Sequence, residues 1–126
     1  MTYRLHHLHL ICRDLETMIG FFTEALGARL TARKQFGGAD GAELDLQGTN
    51  ISLRLAKEGE EIDGDASRTR YGFDHLGLQV EDLEEAMRDL AARGVEFITS
   101  PADLGDKIVV FLKGPEKITL ELLQLK

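Results

Sequence analysis

The chain repeats itself. His7-Leu8-His9-Leu10-Ile11-Cys12-Arg13-Asp14-Leu15 returns 68 positions later as His75-Leu76-Gly77-Leu78-Gln79-Val80-Glu81-Asp82-Leu83, with His, Leu, Leu, Asp and Leu matching place for place. A helical pattern follows each copy and ends near a glycine, Gly27 and then Gly94. Further on, Asn50-Ile51-Ser52-Leu53-Arg54-Leu55 is answered by Lys117-Ile118-Thr119-Leu120-Glu121-Leu122 at an offset of 67. Internal repetition dictates architecture before any local propensity does. Here it calls for two equivalent half-units within 126 residues, the size of one ordinary domain.

Each half reads as strand, helix and three strands. Leu8, Leu10 and Cys12 alternate with His7, His9 and Ile11, the period of a strand. Asp14 is placed to cap a helix whose apolar stripe is Leu15, Met18, Ile19, Phe22, Ala25 and Leu26, and Gly27 suits its left-handed end. Strands are expected near 28–36, 42–46 and 50–56. In the second half a strand is expected over 71–80. Asp82 with Glu85 then forms a capping box, and Leu83, Ala86, Met87, Leu90 and Ala91 supply the helical stripe. Strands near 95–100, 107–112 and 117–124 complete the pattern. The expected fold is α+β, one domain over 1–126 made of βαβββ modules 1–56 and 71–126. Residues 57–70, acidic and glycine-containing, read as a solvated linker.

Composition removes several function classes. The net charge of -7 and pI near 5.0 argue against nonspecific nucleic-acid binding. No apolar run approaches the roughly 20 residues of a membrane span. Met1-Thr2-Tyr3-Arg4-Leu5 lacks the apolar core of a signal peptide, and the one cysteine, Cys12, has no internal disulfide partner. A cytoplasmic location is the expectation.

Alternation sorts the strand residues into two faces. Leu8, Leu10, Leu76, Leu78 and Val80 turn toward the helices, with Leu44, Leu46, Leu53, Leu55, Leu120 and Leu122 on the same side. The other face then carries His7, His9, Glu43, Asp45, Ser52, Arg54, His75, Gln79, Thr119 and Glu121. Such a face is wet or encloses a polar cavity. If the halves face one another through a pseudo-twofold axis, His7, His75 and Glu121 meet around one divalent cation. Two imidazoles and a carboxylate suit Fe, Mn, Ni, Co or Zn.

At these residues the sequence resembles the vicinal oxygen chelate superfamily, which includes glyoxalase I, methylmalonyl-CoA epimerase, extradiol dioxygenases, fosfomycin-resistance transferases and bleomycin-binding proteins. The resemblance covers essentially the whole chain. It rests on a strand histidine seven residues before a helix-capping aspartate, His7/Asp14 and His75/Asp82, and on the closing segment Phe111-Leu112-Lys113-Gly114-Pro115-Glu116-Lys117-Ile118-Thr119-Leu120-Glu121-Leu122. It implies a curved mixed sheet around a metal-binding cavity, His7, His75 and Glu121 as metal ligands, and a homodimer. The glyoxalase and epimerase branches place a fourth ligand, Glu or Gln, at the first-half counterpart of Glu121. The offset of 67 puts Arg54 there, and a guanidinium cannot ligate a cation. What remains is a three-ligand site, as in the dioxygenase and fosfomycin branches.

Roles for the remaining polar residues stay open at this level. Besides Glu121, His9 and Glu43 are candidate bases, and His9 is alternatively a substrate contact or a passive lining residue. Arg54 either binds an anionic substrate group or pairs with Glu43 or Asp45 across neighbouring strands. His6 and Cys12 read as structural. The expected function is a metal-dependent lyase, isomerase or extradiol-type dioxygenase acting on a small oxygen-chelating substrate. The alternative is a non-catalytic binding protein of the same fold, such as an antibiotic-resistance protein.

Overall fold

The computed structural model describes residues 1–63 and 71–126, so part of the expected linker, 64–70, lies outside the described residues. Among the described residues no helix is long and apolar enough to cross a membrane. The chain divides into two compact units, Met1–Asp63 and Gly64–Lys126. Each is a βαβββ module with its own four-stranded mixed sheet.

In the first unit, β1 (His7–Ile11), β2 (Arg29–Phe36), β3 (Ala39–Leu46) and β4 (Thr49–Arg54) form a sheet in the order β1-β4-β3-β2. Strand β1 runs parallel to β4, and the other pairs are antiparallel. Helix α1 (Leu15–Gly20) is capped as expected, with Asp14 Oδ1 accepting the Thr17 amide at 3.0 Å. It does not run on to Gly27. Phe21–Ala25 widen into a π turn, in which the Leu26 amide reaches back to the Phe21 carbonyl at 3.2 Å. Phe22 stays buried along with Met18 and Ile19, and α1 packs on β3 and β4, where Ala42, Leu44, Ile51 and Leu53 are buried. Gly27 then takes the left-handed conformation (φ 78°) that ends the segment.

The second unit pairs β5 (Leu76–Gln79), β8 (Thr119–Leu125), β7 (Lys107–Lys113) and β6 (Ala102–Asp103) in the order β5-β8-β7-β6. Helix α2 (Leu83–Ala92) begins where Asp82 Oδ1 accepts the Glu85 amide at 2.9 Å, and it buries Leu83 and Leu90. Beneath it lie Val110, Leu112, Leu120 and Leu122, each at most 2% exposed. The expected strand at 95–100 is corrected to a single bridge, Phe97 with Leu112, followed by the two-residue β6. The cause is local. Thr99 Oγ1 takes the Phe111 amide at 3.0 Å in place of a backbone carbonyl, and Pro101 has no amide to continue a ladder.

Candidate functional site

In the second unit, β5 and β8 run side by side with Gly77 paired to Glu121 and Leu76 to Leu120. Directly paired residues share a face, so Glu121 lies opposite the helix side, and Leu120 and Leu122 anchor its strand in the core. A Cβ at Gly77 would meet Glu121 Oε1 at 3.9 Å, an ordinary van der Waals contact. The Glu121 carboxylate approaches His75, with Nε2 to Oε2 at 3.4 Å. The other imidazole nitrogen, Nδ1, is bonded to Asp74 Oδ2 at 2.8 Å. The Phe111 ring stands edge-on to the imidazole, centroids 5.1 Å apart. His75 and Glu121 are 30% and 15% exposed, so both remain open to a ligand.

The first unit presents an equivalent face. Register places His7, Asn50 and Asp45 in one row, and His9, Ser52 and Glu43 in the next. Alternate exposure along β1 bears out the expected faces, with Leu8 and Leu10 turned inward and His7, His9 and Ile11 outward. His9 packs against Phe36 at 4.7 Å between centroids. Phe36 in turn lies over Gly41, where a Cβ would come within 2.6 Å of the ring and meet the Leu53 carbonyl. Partial burial holds His9 below the ordinary imidazole range, and the positive charge of Arg54 and Lys57 pushes it the same way. His9 is therefore neutral at pH 7 and able to accept a proton. Glu43 is tied to Lys34 at 3.0 Å, and Asp45 lies 3.6 Å from Arg29.

Arg54 pairs with neither Glu43 nor Asp45, the protein partners expected for it. Its two terminal nitrogens grip Glu60 at 2.8 and 2.9 Å, and Nη1 also donates to the Leu55 carbonyl at 3.1 Å. The fork folds the start of the acidic stretch back onto the first sheet, so residues 57–60 are not a loose tether. Arg54 beside it, with the Lys57 amide, holds the Glu60 carboxyl at about 2, against an ordinary 4.5. Because the folded value is the lower one, the stabilisation is present above pH 4.5 and is lost as the pH falls from there toward 2. Urea midpoints measured across that window should fall more steeply for the natural protein than for Glu60→Gln. Parallel slopes would show that the fork contributes nothing.

Strand register also corrects which residue is the counterpart of Glu121. Leu8 pairs with Ile51 and His9 with Ser52, whereas Leu76 pairs with Leu120 and Gly77 with Glu121. Since His9 and Gly77 are equivalent, the counterpart of Glu121 is Ser52, not Arg54. The antiparallel pairs agree: Leu44 faces Ile51 as Leu112 faces Leu120. Arg54 sits two residues further along the same face. A two-residue slip leaves every side chain on its original face, which is why alternation alone could not detect it. Ser52 is buried, 6% exposed, with a hydroxyl where the second half has a carboxylate.

Two neighbours of the histidines also went unrecognised. His6, read as structural, has Nδ1 2.9 Å from Nδ1 of His7. Asp74 holds the same atom of His75. Extending the 68-residue alignment by one position upstream pairs His6 with Asp74 and was the available signal. The expected ligand set draws His7 from the first unit and His75 and Glu121 from the second. Among the described residues, no group of three His, Cys, Asp or Glu side chains is placed to hold a metal ion.

The family model for the Glyoxalase/Bleomycin resistance protein/Dioxygenase superfamily matches residues 4–122. The chain belongs to that superfamily. It is 25% identical to the lactoylglutathione lyase of Schizosaccharomyces pombe over 96% of its own length, but spans only 47% of that enzyme. Among solved structures it resembles a glyoxylase/bleomycin resistance protein/dioxygenase domain from Frankia sp. EAN1pec, with a TM-score of 0.82 and 26% identity over 100% of this chain and 94% of that one. A mutant of the fosfomycin resistance protein FosX from Listeria monocytogenes, complexed with Mn(II) and 1S,2S-dihydroxypropylphosphonic acid, has the same fold. Its TM-score is 0.76 at 20% identity, covering 100% of this chain and 93% of that one. The tandem βαβββ architecture is thus the superfamily's own.

Proposed function

We propose that this protein is a divalent-metal-dependent enzyme acting on a small, anionic, oxygen-chelating substrate, with His7, His75 and Glu121 as the metal ligands. The observation that carries the reading is the pairing of His75 Nε2 with Glu121 Oε2 at 3.4 Å, backed by Asp74 on the far ring nitrogen. A ligating histidine with its second nitrogen bonded to a carboxylate is the usual arrangement at metal centres. The donor set fits a borderline cation such as Mn, Fe, Co, Ni or Zn, and a relative of this fold is complexed with Mn(II). When bound, such a cation supplies Lewis acidity to substrate oxygens and spreads developing negative charge.

The chain's own residues provide the rest. His9, kept neutral by burial and by the cations beside it, is the candidate proton acceptor at an imidazole nitrogen. Glu43 stands in the same row, on the far side of Ser52, and is the second candidate base, one that must first part from Lys34. Arg54, held by Glu60, contributes positive potential on the His9 side, where an anionic substrate group would be favoured. With Ser52 rather than a carboxylate as the first-half counterpart of Glu121, the proposed set has three ligands and keeps positions open for substrate.

The test begins with metal analysis of protein purified without chelator. About one divalent ion per chain, restorable after chelation, is expected. Assays of the loaded protein would then separate isomerisation of a hemithioacetal from oxygen uptake on catechols. Metal that cannot be restored, together with ligand binding unaffected by His75→Ala, would overturn the enzyme reading in favour of a metal-free binding protein.

A further inference from the structure

Resting on the metal-site reading above, we infer that His6 and Asp74 are repeat-equivalent positioning residues that hold the Nδ1 proton of His7 and His75 and so present each ring's Nε2 lone pair to a cation. The two contacts involve the same ring atom in each half, at 2.9 and 2.8 Å. In both, the partner is the residue immediately before the strand histidine. A contact between sequence neighbours is easily dismissed as local. Its recurrence at equivalent positions with different chemistry, imidazole in one and carboxylate in the other, is not explained that way. The shared feature is a polar partner at Nδ1, a carboxylate that accepts in one half and an imidazole able to accept in the other.

The consequence follows from imidazole chemistry. A neutral ring carries one proton, and the nitrogen that lacks it is the ligand. Asp74, as a carboxylate, can only accept, so the proton belongs on Nδ1 of His75 and Nε2 is left bare toward Glu121. The 2.8 Å bond to Asp74 outweighs the 3.4 Å approach of Glu121, which would pull the proton the other way. Phe111 edge-on to the ring limits its rotation. At His7 the same task falls to His6, an imidazole in place of a carboxylate. Asp74 is 70% exposed, so its bond adds little to folding stability, and its effect is on the ring's orientation and proton.

Nitrogen-15 spectra of the metal-free full chain, recorded well above the ordinary imidazole pKa, report which ring nitrogen is protonated. Both His7 and His75 should carry the proton on Nδ1. Asp74→Ala should convert His75 alone to the Nε2-protonated form, and His6→Ala should convert His7 alone. Asp74→Asn, whose amide oxygen still accepts, should restore the original form at His75. Mn²⁺ titration should show binding weakened roughly ten- to a hundredfold by Asp74→Ala and rescued by Asp74→Asn. Rings protonated on Nε2 in the natural protein, or a His75 signal indifferent to Asp74→Ala, would overturn the inference. A natural protein that takes up no Mn²⁺ but shows the expected protonation pattern would instead overturn the metal-enzyme reading and leave the positioning role standing.

Discussion

Glu121→Ala is expected to weaken divalent-metal binding by more than about a hundredfold, beyond the ten- to hundredfold cost of losing an outer partner of a metal ligand. Turnover should fall to background with it, while the far-ultraviolet circular dichroism stays that of the natural protein. The separation of the two effects comes from the strand. Leu120 and Leu122 on either side of Glu121 are buried at 0% and 2% exposure and point to the helix side, so the strand keeps its anchors when the carboxylate is removed. His75→Ala should behave alike, because β5 is held by Leu76 and by its ladder to β8. Isothermal titration with Mn²⁺ on chelator-treated protein reads the affinity directly. Unchanged affinity in both variants would remove Glu121 and His75 from the ligand set.

Phe22→Ala should be the most damaging substitution in the first core, costing about 3–5 kcal/mol of unfolding free energy. Phe22 is fully buried, and it is held inside by the π turn that interrupts the helix. Thr23 braces that turn, its hydroxyl donating to the Ile19 carbonyl at 2.8 Å. Truncation therefore leaves a ring-sized void in the core. Urea denaturation followed by circular dichroism measures the loss. A cost below about 1 kcal/mol would mean that the site collapses freely and that the π turn is not a rigid support.

Much of the site was legible in the chain. The duplicated histidines, the capping Asp14 and Asp82, and the alternation that puts leucines on one face and polar residues on the other are local signals, and each has a local physical cause. Other features were hidden because they depend on partners distant in sequence or on exact chain length between strands. Glu60 sits six residues beyond Arg54, in a stretch whose composition reads as solvated linker, and nothing in that composition reveals the bidentate fork. Thr99 and Pro101 end a strand that periodicity alone would continue.

Duplication and face are thus properties of the sequence by itself. A strand residue's side is set by its parity, and His7, His9, His75 and Glu121 had to lie away from the helices once the leucines chose theirs. Which residues stand opposite one another was decided only by the tertiary structure. The turns joining the third and fourth strands of the two halves differ, Gln47-Gly48 against Gly114–Ile118, and the hydrogen-bond ladder absorbs the difference. Parity survives a shift of two residues, but identity does not. That is how Ser52, rather than Arg54, came to stand where the second half carries Glu121.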